Sequence, residues 1–245
     1  MVRPGDGHEG ARLAVFLGRP VSYTLQWGQV TPYIPYLLGG ALVTLHLAFL
    51  GFLGGFAIGL VNASAIRLAP RVFGRLARAY VVFFLNTPLL VQIFFIFFGL
   101  PDVGIVLSPY AAVLIGIALN EGAYLTQTLL GGFNAVRSEE LDAAETLGLS
   151  RLQTLIYVIL PQVCRSVYPA LSNQYILVTM TTSIAAIFGI EELTGRAYNI
   201  DAQTFRSFEI FSITAVDYVG LTIIASVLLA LVGRWMFGLR MRVIQ

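Results

Sequence analysis

A chain of 245 residues that is 57% hydrophobic and 11% charged, with a mean hydropathy of +0.80, reads as an integral membrane protein, because soluble chains carry about a quarter charged residues. All 15 basic residues are arginine, which excludes a Walker A phosphate loop and its lysine, so ATP with its Mg is expected to be bound, and the ATP hydrolysed, by another chain. The lone Cys164 forms no intrachain disulfide, His8 and His46 have no partners at metal-ligand spacing, and a dispersed net charge of +2 does not suit nucleic acid.

Residues 1–32 mix Gly, Pro and charge around one short apolar patch, Leu13 to Leu17. That patch is too short to span and has no small-residue cleavage site after it, so the stretch reads as neither span nor signal peptide. It is expected to form an extracytoplasmic segment ahead of a membrane domain over 33–245. Tyr23, Trp27, Tyr33 and Tyr36 suit an aromatic belt at the first interface. Five spans follow: Pro35 to Ala63, Tyr80 to Leu100, Pro109 to Phe133, Leu155 to Phe188 with an interruption, and Phe211 to Phe237. The fold class is therefore all-α, with five transmembrane helices.

Arginines set the orientation. Arg67, Arg71, Arg75 and Arg78 lie between the first two spans without an acidic residue, Arg137 and Arg151 flank a polar segment after the third, and Arg234, Arg240 and Arg242 close the chain. The positive-inside rule makes these regions cytoplasmic, with the N-terminus outside and the C-terminus inside. The loop from Gly189 to Phe208, with Glu191, Glu192 and Asp201, then faces outward.

Within the third span, Asn120, Tyr124 and Gln127 form one stripe with Glu121 and Thr128 beside it. An ionised carboxylate at that depth costs about 2.5 to 3.5 kcal/mol on insertion scales, so Glu121 should face the interior and find a partner. The stripe reads either as a substrate-lining face or as interhelical glue at about 1 kcal/mol per hydrogen bond. Asn173, Gln174 and the run Thr181, Thr182 and Ser183 admit the same two readings, since amides and hydroxyls also patch a helix broken by Pro161 and Pro169. Arg165 is expected to snorkel toward the cytoplasm, Asp217 to be interfacial, and His46 to be a satisfied core residue.

Between the third and fourth spans, residues 138–149 are expected to form a short polar helix. Ser138 suits its N-cap, Glu139 and Glu140 suit its positive N-terminal end, and Gly148 suits a left-handed close. Ser150 and Gln153 predict a capping box for the next helix. Leu141, Ala144 and Gly148 fall near one face, and small side chains at 143, 144 and 148 would admit a close partner; a bare surface helix is the alternative.

The run Asp142-Ala143-Ala144-Glu145-Thr146-Leu147-Gly148, followed after nine residues by Val158-Ile159-Leu160-Pro161, resembles the EAA loop of ABC importer permeases, with Asp142 and Val158 as conservative departures. Four further segments are similar to the permeases of polar amino-acid importers, which handle histidine, glutamate, glutamine, arginine and opines. They are Asn86-Thr87-Pro88-Leu89-Leu90-Val91-Gln92, Asn120 with Gly122-Ala123-Tyr124, Asn173-Gln174, and Glu192-Leu193-Thr194 with Ala202 to Arg206. The likeness covers residues of about 36 to 240.

The resemblance implies a type I importer permease in a bacterial inner membrane, without enzyme activity of its own. Two permeases would form the pore, an ATPase dimer would dock on the cytoplasmic helix through Glu139, Asp142, Ala143, Ala144, Gly148 and Pro161, and an extracytoplasmic binding protein would deliver substrate. Asn86, Thr87, Gln92, Asn120, Glu121, Tyr124, Gln127, Asn173, Gln174 and Thr181 to Ser183 are the candidate substrate pathway. The usual membrane charges are missing, however: Leu85-Asn86, Gln127, Leu130 and Met180-Thr181 stand in their places. A second, different permease is therefore expected, with two copies of this chain as the alternative. An ion-coupled carrier and a non-transporting scaffold are the competing functions; the first needs no docking helix and usually shows repeated halves, and the second needs no polar wedge.

Overall fold

The computed structural model describes residues 23–238. The Leu13 to Leu17 patch, most of the expected extracytoplasmic segment, His8, Arg240 and Arg242 lie outside the described residues. Helices account for the regular structure, and no strand occurs among the described residues.

After two short turns, Trp27–Gln29 and Thr31–Tyr33, the first long helix α1 runs Ile34–Leu68 with a proline in its first turn. There the missing N–H costs nothing. Its buried face carries Gly51, Gly55 and Gly59 at every fourth position, a small-residue stripe of the kind that brings membrane helices together. Helix α4, Pro109–Asn134, lies along that stripe. A Cβ on Gly55 would sit 2.5 Å from Glu121 Cβ, and one on Gly59 3.0 Å from Leu125 Cβ. Only hydrogen fits at such a crossing.

The second expected span is not one straight helix. α2, Phe73–Leu85, and α3, Leu89–Phe94, which continues through a π turn Phe95–Gly99 and a 3-10 turn Leu100–Val103, meet at 105°. Pro88 is extended, at ψ 134°, because proline and its predecessor resist continuing a helix. Asn86 Nδ2 donates to Val82 O at 2.7 Å, beside the last helical bond from Asn86 N, and Thr87 Oγ1 donates to Phe83 O at 2.8 Å, so side chains cover the carbonyls at the break. Counting the bent pair as one crossing gives five spans; four single helices are long and apolar enough by themselves.

Helix α5, Ser138–Thr146, is the short polar helix. Its N-cap is Arg137, in extended conformation, and Ser138 is the first helical residue without a capping bond, so the N-cap expectation was one position off. Gly148 closes it at φ +70°, in the left-handed region open to glycine. The Ser150–Gln153 capping box forms, with bonds of 2.9 and 3.4 Å, and starts α6, Arg151–Gln153. A π turn, Thr154–Ile159, precedes Pro161 and α7, Leu160–Thr181, which tightens to a 3-10 stretch over Thr182–Phe188. Widening before Pro161 accommodates its ring and missing donor.

The segment expected as an outward-facing loop is helix α8, Leu193–Thr204, capped by Glu192 and packed against α1 and α9, Ser207–Phe237. Glu192 is fully buried: Gly195 N, Thr44 Oγ1 and Tyr218 Oη donate to its carboxylate at 2.8, 3.2 and 2.8 Å. Asp217, expected at the interface, sits ten residues into α9 with Oδ2 enclosed and unpaired. His46 is satisfied, its Nδ1 lying 2.7 Å from Tyr110 Oη, but it is exposed rather than part of the core, because it sits on the open side of α1.

Candidate functional site

The bend between α2 and α3 opens a cavity of about 530 Å³, closed by α4 and α7 and lined by Asn86, Thr87, Asn120, Glu121, Tyr124, Gln174 and Thr181 among apolar neighbours. The break puts side chains and backbone of the Asn86-Thr87-Pro88 corner against the polar stripe of α4. A straight helix would have carried them past it.

Glu121 is 5% exposed, and Gln174 Nε2 donates to its Oε2 at 2.9 Å. No salt bridge reaches it among the described residues. Behind the wall, Gln92 Nε2 donates to Thr87 O at 2.8 Å and to Phe84 O at 3.0 Å, and its Oε1 accepts from Asn120 Nδ2 at 3.3 Å. This network stitches both sides of the break to α4. Tyr80 Oη donates to Leu119 O on the same helix, and Gly122 admits that ring, since a Cβ there would come within 2.7 Å of the hydroxyl.

The structure does not gather every expected pathway residue. Gln127 and Asn173 are exposed and do not line the cavity. Thr182 is buried and donates to Thr179 O at 2.8 Å, which patches the 3-10 transition. Ser183 lines a separate pocket with Met180, Tyr218 and Thr222. Each misses for the same reason: helical period alone places residues on a face without saying what covers that face.

On the polar helix, Asp142, Ala143 and Gly148 are exposed, as are Glu139, paired with Arg137 at 3.7 Å, and Pro161 further on. Ala144 differs from expectation. It is 2% exposed and faces its own chain, its carbonyl accepting from Leu149 N at 3.0 Å, while Gln162 of α7 donates to Glu140 nearby. The free face instead presents Asp142, Ala143 and Leu147, the last 78% exposed. The expectation missed the Gly51, Gly55 and Gly59 stripe that seats Glu121, although its spacing is legible in the sequence.

Comparisons with known proteins agree with this architecture. The family model described as "Binding-protein-dependent transport system inner membrane component" matches residues 51–238. The chain is 35% identical over 212 residues to the glutamine transport system permease protein of Escherichia coli strain K12, covering 86% of this chain and 97% of that one. It is 32% identical over 213 residues to the nopaline transport system permease protein of Agrobacterium fabrum strain C58, covering 82% and 88%. A crystal structure of an amino acid ABC transporter with histidines superposes with a TM-score of 0.80 at 31% identity, covering 86% of this chain and 99% of that one. A multi-helix membrane chain with a polar cavity and a separate, exposed polar helix has the form of the transmembrane part of a transporter. This one belongs to the family of binding-protein-dependent transport system inner membrane components.

Proposed function

We propose that this chain is one permease of an ATP-driven importer of polar amino acids, working by alternating access. The observation that carries the reading is the cavity at the α2–α3 break, where amides, hydroxyls and one carboxylate converge inside a membrane bundle. A zwitterion needs such groups to replace its hydration. The glutamine and nopaline relatives support the substrate class. This chain's residues bind and move; they break no bond.

A partner ATPase dimer docks on the exposed face of α5. Closure of that dimer draws the helices of two permeases together and opens the cavity outward to an extracytoplasmic binding protein; hydrolysis resets it. α5 is tied to α7 through Glu140 and Gln162, and α7 carries Gln174 and Thr181 in the cavity wall. Movement at the docking surface thus has a direct mechanical path to the site. The N-terminus lies outside and the C-terminus in the cytoplasm.

The second permease is a different chain. Two copies would bring two Glu121 carboxylates into one low-dielectric site without a visible counter-charge. In a heterodimer, Glu121 pairs with a base on the other chain or with the substrate ammonium. Purification of this chain, tagged in its own cell, tests the assembly: a stoichiometric ATPase and a second permease are expected. Activity of the isolated chain would favour an ion-coupled carrier, and transport with this chain as the only permease would refute the heterodimer.

A further inference from the structure

On the other side of α7 lies a larger and chemically opposite cleft. α1, α7 and α9 enclose about 810 Å³ lined by Phe49, Leu53, Phe56, Tyr175, Leu228 and other largely apolar side chains, with His46 and Ser172 the polar exceptions. Phe52 meets Tyr175 edge to face at 5.5 Å, and Tyr168 Oη donates to Leu229 O at 2.8 Å, so the walls are braced across helices. We propose that this cleft binds one acyl chain of an anionic phospholipid from the cytoplasmic leaflet, with Arg165 at its mouth holding the phosphate.

Depth selects the leaflet. Tyr36 in the outer aromatic belt precedes Leu45, the first α1 residue of the cleft, by nine positions, or about 14 Å of helix. That is about half of a hydrocarbon core of about 30 Å. From the cytoplasmic side, Arg165 precedes Tyr175 by ten positions, about 15 Å. Both helices place the cleft in the inner half of the membrane, and its α1 wall from Leu45 to Phe56 is about 16 Å long, the reach of one leaflet's chain.

Direction selects lipid over protein. On α7 the polar cavity takes Gln174, Leu177 and Thr181, whereas the cleft takes Tyr168, Leu171, Ser172 and Tyr175, on average about 140° around the helix. This step rests on the proposed function: if the polar cavity faces the pore shared with the second permease, the cleft faces the bilayer.

Charge selects the headgroup. Arg165 lies three positions before Tyr168 and seven before Ser172, on the same stripe, and α7 side chains lean toward its cytoplasmic N-terminus. It is exposed and makes no salt bridge among the described residues. A basic group at the cytoplasmic edge of an interhelical cleft suits an anionic lipid phosphate.

The test uses the purified importer complex in lipid nanodiscs containing phosphatidylglycerol or phosphatidylcholine with a diazirine in one acyl chain. Cross-links mapped by mass spectrometry should concentrate on Phe49, Leu53 and Leu228, with phosphatidylglycerol favoured about fivefold. Arg165→Gln should abolish that preference and Arg165→Lys should retain it. Cross-links spread evenly over the outer faces of α1 and α9, equal labelling by both lipids in the wild type, or an unchanged preference in Arg165→Gln would overturn the proposal. Cysteines at Leu53 and Asn86, probed with a membrane-impermeant thiol reagent on both faces, separate the two readings. Labelling at Asn86 alone leaves the pore standing whatever the lipid does; labelling at Leu53 alone removes the pore assignment as well.

Discussion

Glu121 sits at least twelve residues from either end of α4 and takes its only described side-chain hydrogen bond from Gln174. A carboxylate in that position costs insertion energy, and nothing in the packing of α1 against α4 requires it, since Gly55 meets its Cβ and backbone but not its oxygens. Glu121→Gln keeps the shape and removes the charge. Substrate uptake should fall about tenfold or more, the scale of a hydrogen bond to a charged group, with assembly unchanged on size exclusion. Asn173→Ala, at an exposed position off the cavity, should stay within about twofold. Full uptake by Glu121→Gln would return the residue to a structural part. Asn120, Glu121, Tyr124, Gln174 and Thr181 were legible from residue type and spacing, Asn86 and Thr87 only through the family resemblance, and all seven meet in one cavity. Gln127 and Asn173 share the chemistry but not the location, because a helix face belongs to a site only when a neighbouring element covers it.

Elements carry the second level of the account. The Gly51, Gly55 and Gly59 stripe sets how closely α1 approaches α4, so Gly55→Val should force a clash with Glu121 Cβ and backbone. The expected loss is about 1 to 3 kcal/mol, read as a lower melting temperature of the detergent-solubilised complex. In α5, Gly148→Val should strain the left-handed turn at φ +70°. Ala143→Trp enlarges the exposed face, whereas Ala144 is packed against the chain itself. Both variants should reach the membrane yet lose the ATPase on affinity purification. Normal ATPase recovery with both would sink the docking role of α5. The short helix, its glycine stop and the capping box after it were readable because each depends on local chemistry. The 105° break and helix α8 were not. Hydropathy averages over Asn86-Thr87-Pro88 without noticing a corner, and Glu192 looks like a loop charge until Thr44 and Tyr218, distant in sequence, supply its donors.

At the scale of the whole molecule, the proposed orientation rests on where the arginines accumulate. Val72, beside the arginine-rich turn, and Gln203, in α8, are both exposed. Single cysteines there in a Cys164→Ala background should label from opposite sides, Val72→Cys from the cytoplasm and Gln203→Cys from outside. Labelling of both from one side would overturn the five-span arrangement.

In the proposed function, the polar cavity of this chain passes an amino acid when a separate ATPase drives it. Proteoliposomes containing the complete complex, with ATP inside and the binding protein outside, should accumulate a radiolabelled polar amino acid such as glutamine, and should stop when ATP is omitted or Ala143→Trp removes the ATPase. Uptake that persists without ATP and follows an ion gradient, or an assembled complex that moves none of the polar amino acids, would contradict the account.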